Sequence, residues 1–190
     1  MYTVRRLAAG ELRDSAGPLA ELLVDTVGSG SSLGFLAPLD AAEAAGWWRA
    51  LAPDVAAGRL LVWAAHHDAD HRIAGTVQLR PATPANGRHR AEVAKLMVHR
   101  ADRGRGLAGR LLTALESAAV EHGIRTLVLD TETGSPAERL YAAAGWTRVG
   151  TVPDYATDPS GTPHATTVFY KALPAEPAAG PDVRPGRDKL

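Results

Sequence analysis

Apolar positions along the chain change period several times, and each change marks an element. Tyr2 to Leu7 reads as a short first strand. After Gly17-Pro18, residues Leu19, Leu22, Leu23 and Thr26 fall at helical spacing. They predict a helix to about Val27 with proline in its first turn, where a missing N–H costs little. The run Gly28-Ser29-Gly30-Ser31-Ser32-Leu33-Gly34 breaks it. A second helix is predicted from Asp40 as N-cap to Ala57, carrying Ala44, Trp47, Trp48, Leu51 and Val55 and closing at Gly58. From Arg59 the pattern turns to β: Leu60 to His66, a turn through His67-Asp68-Ala69-Asp70, then Arg72 to Arg80. The loop Pro81 to Arg90, with Asn86-Gly87 as a turn signal, returns the chain into Ala91 to His99. In that stretch Val93, Leu96 and Val98 suggest a largely buried strand, completing an antiparallel meander of three.

A long amphipathic helix follows, its face marked by Leu107, Leu111, Leu115, Ala118 and Ala119. Arg125 to Asp130 then predicts a strand beside the Ala91 strand, parallel to it because a helix intervenes. A helix over Pro136 to Ala144 capped by Gly145, a strand over Thr147 to Val152, a long loop over Pro153 to His164 and a last strand over Ala165 to Ala172 complete the domain. The expected fold is one α/β domain over 1–173, a mixed, mostly antiparallel sheet with helices on both faces. Residues 174–190 hold four prolines and almost no large apolar side chains, and are expected to form a disordered tail.

The turn between the Ala91 strand and the long helix carries the chemistry. If the helix starts near Gly106, the N–H groups of Gly104 to Gly109 have no acceptors inside it and converge on one point. With the partial positive charge of a helix N-terminus behind them, the favoured occupant is an anion such as a phosphate or pyrophosphate. Glycine permits backbone to approach the anion closely, and Arg103, Arg105 and Arg110 add long-range attraction.

The order Arg103-x-x-Gly106-x-Ala108 resembles the Q/R-x-x-G-x-G/A signature of the GCN5-related N-acetyltransferase (GNAT) family. Pro136-Ala137-Glu138-Arg139-Leu140-Tyr141-Ala142-Ala143-Ala144-Gly145-Trp146 resembles that family's A-x-x-L-Y-x-x-x-G-F segment, with Trp146 where phenylalanine is usual. The pieces LMVHRADRGRGLAGRL, LDTETGSPAERLYAAAGWTRVG and GTPH look most like the tabtoxin-resistance acetyltransferases. The resemblance spans residues 3–173 and implies that acetyl-CoA is the cosubstrate, bound where the two central strands splay apart. It implies that its pyrophosphate meets Arg103, Gly104, Arg105, Gly106, Leu107, Ala108 and Gly109, and that Leu96, Met97 and Val98 pair with the pantetheine arm and position the thioester. It gives the Tyr141 hydroxyl the task of protonating the departing thiolate, a step open to a phenol that is still protonated at neutral pH. An ammonium acceptor must lose a proton first, and two carboxylates are candidates for the base. Asp130 ends the strand beside the central one, whereas Glu92 lies thirteen residues before Arg105, a spacing that resembles the histone-acetylating branch. Gly134 stands where the family often has a cofactor-contacting asparagine, leaving Ser135 as the candidate for that contact.

Composition narrows the partners. There are 21 basic and 21 acidic side chains and a formal net charge of zero, so no strongly basic surface for nucleic acid is indicated. The absence of cysteine removes disulfides, thiolate metal sites and a cysteine nucleophile, and no metal is expected. No apolar run approaches the roughly 18 residues of a membrane span. The expectation is a cytoplasmic monomer or homodimer that acetylates a primary amine of a small molecule, such as an antibiotic or toxin, with a resistance role. Two other readings stay open, a non-catalytic acyl-CoA sensor and a protein or peptide N-acetyltransferase. Gly30-Ser31-Ser32-Leu33-Gly34 formally matches the G-x-S-x-G nucleophile elbow, but that motif needs a preceding strand and a following helix. A lid over the acceptor site is the better reading of that loop. His66, His67, Asp68, Asp70 and His71 read as a solvated turn rather than a metal set, and one ring of Trp47-Trp48 must leave the core face.

Overall fold

A single seven-stranded sheet organises the protein, and the computed structural model describes residues 1–174. The strands are β1 (Tyr2–Arg6), β2 (Leu61–His67), β3 (Ile73–Pro81), β4 (Arg90–Val98), β5 (Thr126–Glu132), β6 (Thr147–Thr157) and β7 (Pro163–Ala172). They lie in the order β1-β2-β3-β4-β5-β7-β6, and every neighbouring pair is antiparallel except β4 and β5. This is the expected mixed sheet. Helices α1 (Ala9–Asp14), α2 (Ala16–Gly28), α3 (Ala41–Ala50) and α4 (Ala52–Ala56) share one apolar core, in which Leu19, Leu23 and Trp48 meet Val62, Ala64 and Met97 of the sheet. On the other face α5 (Leu107–Glu121) inserts Leu107, Leu111 and Leu115 against Val77, Leu79 and Val93. Helix α6 (Pro136–Ala143) adds Tyr141 to that second core. The predicted tail lies outside the described residues, apart from Pro174.

Three boundaries differ from the sequence reading. The helix expected from Gly17-Pro18 to Val27 is α2, but an unpredicted α1 precedes it, started by the Glu11 carboxylate, which accepts the Ala8 N–H at 2.8 Å where no Ser, Thr, Asp or Asn stands. The helix predicted over Asp40 to Ala57 is two pieces. Asp40 caps α3 as expected, accepting from the N–H groups of Ala42 and Glu43 at 2.8 and 3.0 Å, but Pro53 in the first turn of α4 has no N–H to continue the ladder. The predicted loop over Pro153 to His164 is instead the end of a long β6–β7 hairpin, paired to Thr157 with Pro163. Pro153 reads as a strand terminator. It is accommodated because β6 is the edge of the sheet and the register shifts between Val152 and Ala156, where a missing donor breaks no regular pair.

Candidate active site

The Gly/Arg turn has the backbone that its sequence requires. After β4, a 3-10 turn (Arg100–Asp102) leads to Gly104 at φ +76° and Gly106 at φ +71°, the latter being the N-cap of α5. Both angles lie where side chains are strained, which explains glycine at these two positions. Among the described residues, the backbone N–H groups of 104–109 donate to no acceptor, so the first turn of α5 presents an open set of donors. The arginine side chains are partly committed elsewhere. Arg103 donates to the Val98 carbonyl at 3.2 Å and to Ser29 Oγ at 3.1 Å, Arg105 to Tyr2 Oη at 3.0 Å, and Arg110 to the Tyr2 carbonyl at 2.6 Å. Beneath them Asp102, only 3 % exposed, accepts from Tyr2 Oη at 2.7 Å and from Arg72 at 2.7 and 3.2 Å. The Arg72 guanidinium holds the Asp102 carboxyl below the usual carboxylate range. This hub fastens the turn to β1 and β3, and sequence reading missed it because its members lie up to 100 residues apart.

The central strands part where the resemblance implies. The parallel pairing of β4 with β5 covers only Arg90 with Thr126, Ala91 with Leu127 and Glu92 with Val128. Beyond Glu92, β4 stays paired to β3 but leaves its β5 side open, so Leu96 and Val98 offer backbone groups to the gap, while Met97, opposite Thr76 and in phase with the His99 N–H bond to the Ala74 carbonyl, turns its own towards β3. A bulge accompanies the parting. Between the pairs Gln78 with Ala94 and Thr76 with Met97, β4 carries one extra residue, and Lys95 takes φ +52°. Gly75, paired with Val98, is indispensable here: a Cβ on it would lie 2.8 Å from the Met97 carbonyl oxygen and 3.1 Å from Leu111 Cδ1.

The proposed acid and the two proposed bases do not share one environment. Tyr141 is buried in the α5-side core, with its ring 5.7 Å from Trp146 and 6.2 Å from Phe169. Burial first, and the negative charge of Asp130 second, push its ionisation well above the ordinary tyrosine range, so the hydroxyl keeps its proton at any physiological pH. Asp130 is exposed on β5, two residues past the last parallel pair and therefore within the splay. Glu92 is exposed at the closed end of the splay, where it lines an open cleft with Arg59, Arg80 and Arg90. Of the two carboxylates, only Asp130 acts electrostatically on Tyr141. Ser135, the candidate cofactor contact, caps α6, its Oγ accepting the Glu138 N–H at 3.2 Å.

On the opposite face of the sheet, the loop between α2 and α3 roofs the splay. Ser32 Oγ donates to the Thr157 carbonyl at 2.8 Å and the Ala37 N–H donates to the Pro159 carbonyl at 2.8 Å, tying that loop to the β6–β7 hairpin. Ser32 sits in no strand-turn-helix elbow and contacts no base, so the hydrolase match is only formal. Of the tryptophan pair, Trp48 is fully buried and donates to the Leu19 carbonyl at 3.1 Å. Trp47 turns outward and meets Phe35 edge-on at 5.2 Å. The Lys95 ammonium lies 5.8 Å from the Trp47 ring centroid and 6.0 Å from that of Phe35, and burial lowers its pKa below that of an ordinary lysine. Neither Lys95 nor the buried Gln78 was singled out in the sequence. The available signal was a glutamine inside the apolar run of β3, whereas nothing in the order of residues announces the Lys95 bulge. Within the His66–His71 turn, His67 Nδ1 lies 2.9 Å from Asp70 Oδ1. Among the described residues no group of three or more His, Cys, Asp or Glu is placed to hold a metal, and no helix is long and apolar enough to cross a membrane.

Comparison with known proteins converges on this geometry. An N-acetyltransferase from Staphylococcus aureus Mu50 superposes with a TM-score of 0.74 at 15% identity, covering 92% of this chain and 99% of its own. The yncA protein from Salmonella typhimurium, solved with its cofactor acetyl-CoA, gives 0.72 at 20% identity over 96% of this chain and 99% of its own. A GCN5-related N-acetyltransferase from Kribbella flavida gives 0.72 at 23% identity over 90% and 98%. Residues 35–146 match the model of the acetyltransferase (GNAT) family. That span contains the splay, the Gly/Arg turn and Tyr141, and the protein belongs to the acetyltransferase (GNAT) family.

Proposed function

We propose that the protein transfers acetyl from acetyl-CoA directly to a primary amine of a small molecule. The observation that carries this reading is the parting of β4 from β5 after three residue pairs, with free N–H donors at one end and Asp130 on the stretch of β5 that has left β4. The residues fit the cosubstrate. Leu96 and Val98 supply an unpaired strand edge for the amides of the pantetheine arm, and the N–H groups of 104–109 supply donors for the pyrophosphate. A β4 N–H aimed at the acetyl oxygen would stabilise the negative charge that develops there. Asp130 takes the proton from the ammonium, directly or through water, leaving the nitrogen lone pair free to attack the thioester carbon. As the carbon–sulfur bond breaks, Tyr141 donates its proton to the sulfur, and the nitrogen sheds its remaining extra proton to become the amide, returning one through solvent to the tyrosine oxygen. Asp130 is assigned this role over Glu92 because it lies on β5 beyond the last parallel pair, while Glu92 is in that pair and lines a cleft with three arginines.

A small acceptor is favoured by the roof. Ser32 and Ala37 of the loop 28–39 are tied to the β6–β7 hairpin, and the Phe35–Trp47 pair stands on the same side, so the face from which an amine approaches is narrowed by side chains and loop backbone. The likeness to the tabtoxin-resistance enzymes and a resistance role belong to the same proposal. The test is release of CoA thiol from acetyl-CoA against amino acids, polyamines, aminoglycosides and peptide-like antibiotics, with mass analysis of the acceptor. The proposal expects amine-dependent release and one added acetyl group on nitrogen. Binding of acetyl-CoA without release to any amine would replace it with the sensor reading.

A further inference from the structure

Two groups on the acceptor side of the sheet lack partners. Gln78 is 1 % exposed, and neither its Oε1 nor its Nε2 meets a hydrogen-bond partner among the described residues. It pairs in register with Val62 on β2 and Ala94 on β4. Val62 belongs to the core under α1 to α4, whereas Val77 and Leu79 on either side of Gln78 belong to the α5 core. Gln78 therefore faces the acceptor side, one residue across from the bulge at Lys95. A buried amide with both ends unsatisfied is costly, and such groups are normally completed by a water or a ligand.

Lys95 is the second. Its ammonium is drawn in over the Phe35 and Trp47 rings, at 6.0 and 5.8 Å, and approaches Gly34 closely enough that a Cβ there would sit 3.9 Å away. It is half-buried, and no carboxylate of the described residues lies within 4.0 Å of it, although a charge withdrawn from water is normally paired. The charged groups that act on it from a distance are Glu92, Arg80 and Asp130. Glu92 lines a cleft with Arg59, Arg80 and Arg90, and Asp130 lies on β5 beyond its last pair with β4. Ring faces offset part of the cost of burying a cation but supply no hydrogen-bond acceptor. Lys95 brings three N–H donors to this place, and Gln78 brings two donors and an acceptor.

We propose that Lys95 and Gln78 form an oxyanion-recognising end of the acceptor pocket, so that the acceptor carries a carboxylate or like oxyanion together with its amine. The inference rests on the transferase reading and deepens it: the amine lies towards Asp130, the anion towards Lys95, and Phe35 and Trp47 flank the carbon frame between them. A polyamine, which brings a second cation to Lys95, is disfavoured.

The test is calorimetric titration of the enzyme saturated with CoA, using glycine, L-methionine and L-lysine, each against its own carboxamide. The free acid is expected to bind about 10-fold or more tighter than the amide, the order of one charge-assisted hydrogen bond. Lys95→Met collapses that ratio towards one, and Lys95→Arg, which keeps the charge, retains it. Gln78→Leu removes two unsatisfied buried atoms, so it raises the midpoint of thermal unfolding while weakening the acid. Equal binding of acid and amide, a preference that survives Lys95→Met, or no binding of any of the three acids would overturn the proposal. Failure of the enzyme to bind CoA is a separate outcome, and it refutes the transferase reading beneath.

Discussion

Substitution of Gly109 by aspartate should stabilise the fold and disable it. Gly109 is the third residue of α5, in the first turn of a helix that has no acidic residue there, and a Cβ built on it meets nothing within 4 Å. A carboxylate at this place complements the helix dipole and contributes about 0.3–1 kcal/mol. Replacing a helical glycine adds a few tenths of a kcal/mol more. For a chain of this size, about 1 kcal/mol corresponds to a rise of roughly 2–4 °C in melting midpoint. The same carboxylate competes for the N–H donors and repels a pyrophosphate. At about 5 Å and an effective dielectric near 20, one pair of like charges costs roughly 3 kcal/mol, or about 100-fold in Kd. Thermal melts without ligand and calorimetric titration with acetyl-CoA read the two effects separately. Gly109→Ala, which adds the methyl without the charge, is the control. A variant that melts higher yet binds acetyl-CoA as the parent does would refute the pyrophosphate assignment, and a variant that melts lower would refute the description of the helix start.

Three further outcomes follow from the same geometry. Tyr141→Phe keeps the ring against Trp146 and Phe169, so melting and acetyl-CoA binding should hold while kcat falls about 10²–10⁴-fold; unchanged kcat with unchanged binding would remove the acid role. Gly75→Ala drives a methyl into the Met97 carbonyl and should cost about 1–3 kcal/mol in denaturant unfolding, with a raised KM for acetyl-CoA because the displaced strand is the one that faces the splay. The folded-state pKa of Asp102 is depressed, so its contribution is present above the unfolded-state value near 4 and is lost as pH falls through the depressed one. Asp102→Asn should therefore cost about 2–3 kcal/mol at neutral pH and flatten the acid limb of a plot of melting temperature against pH; a variant with an unchanged acid limb would show that Asp102 carries none of that linkage.

What the sequence made legible was local. The period change from β4 into α5, the glycines at positive φ and the Asp40 cap are properties of neighbouring residues, and each stands where its pattern places it. The β6–β7 hairpin was hidden because Pro153 signals a strand end unless the strand lies at an edge, and edge position is a property of the whole sheet. In the site, the turn and Tyr141 could be named from motifs. Asp130 and Glu92 could both be named from the sequence, whereas the end of the splay that each occupies follows from where the parallel pairing stops, which no spacing encodes. Lys95 was hidden because it owes its place to a bulge, whereas Gln78 shows in the sequence as a polar residue in an apolar run and only its lack of a partner waits for the packed fold.

The central claim is that the open edge of β4 and the first turn of α5 together hold acetyl-CoA. Hydrogen–deuterium exchange, compared with and without acetyl-CoA, tests it amide by amide. The account predicts that protection appears in Leu96 to Val98 and in 104–109, and that the β6 edge is unchanged. Saturable binding that leaves both segments exchanging as fast as in the free protein would contradict it.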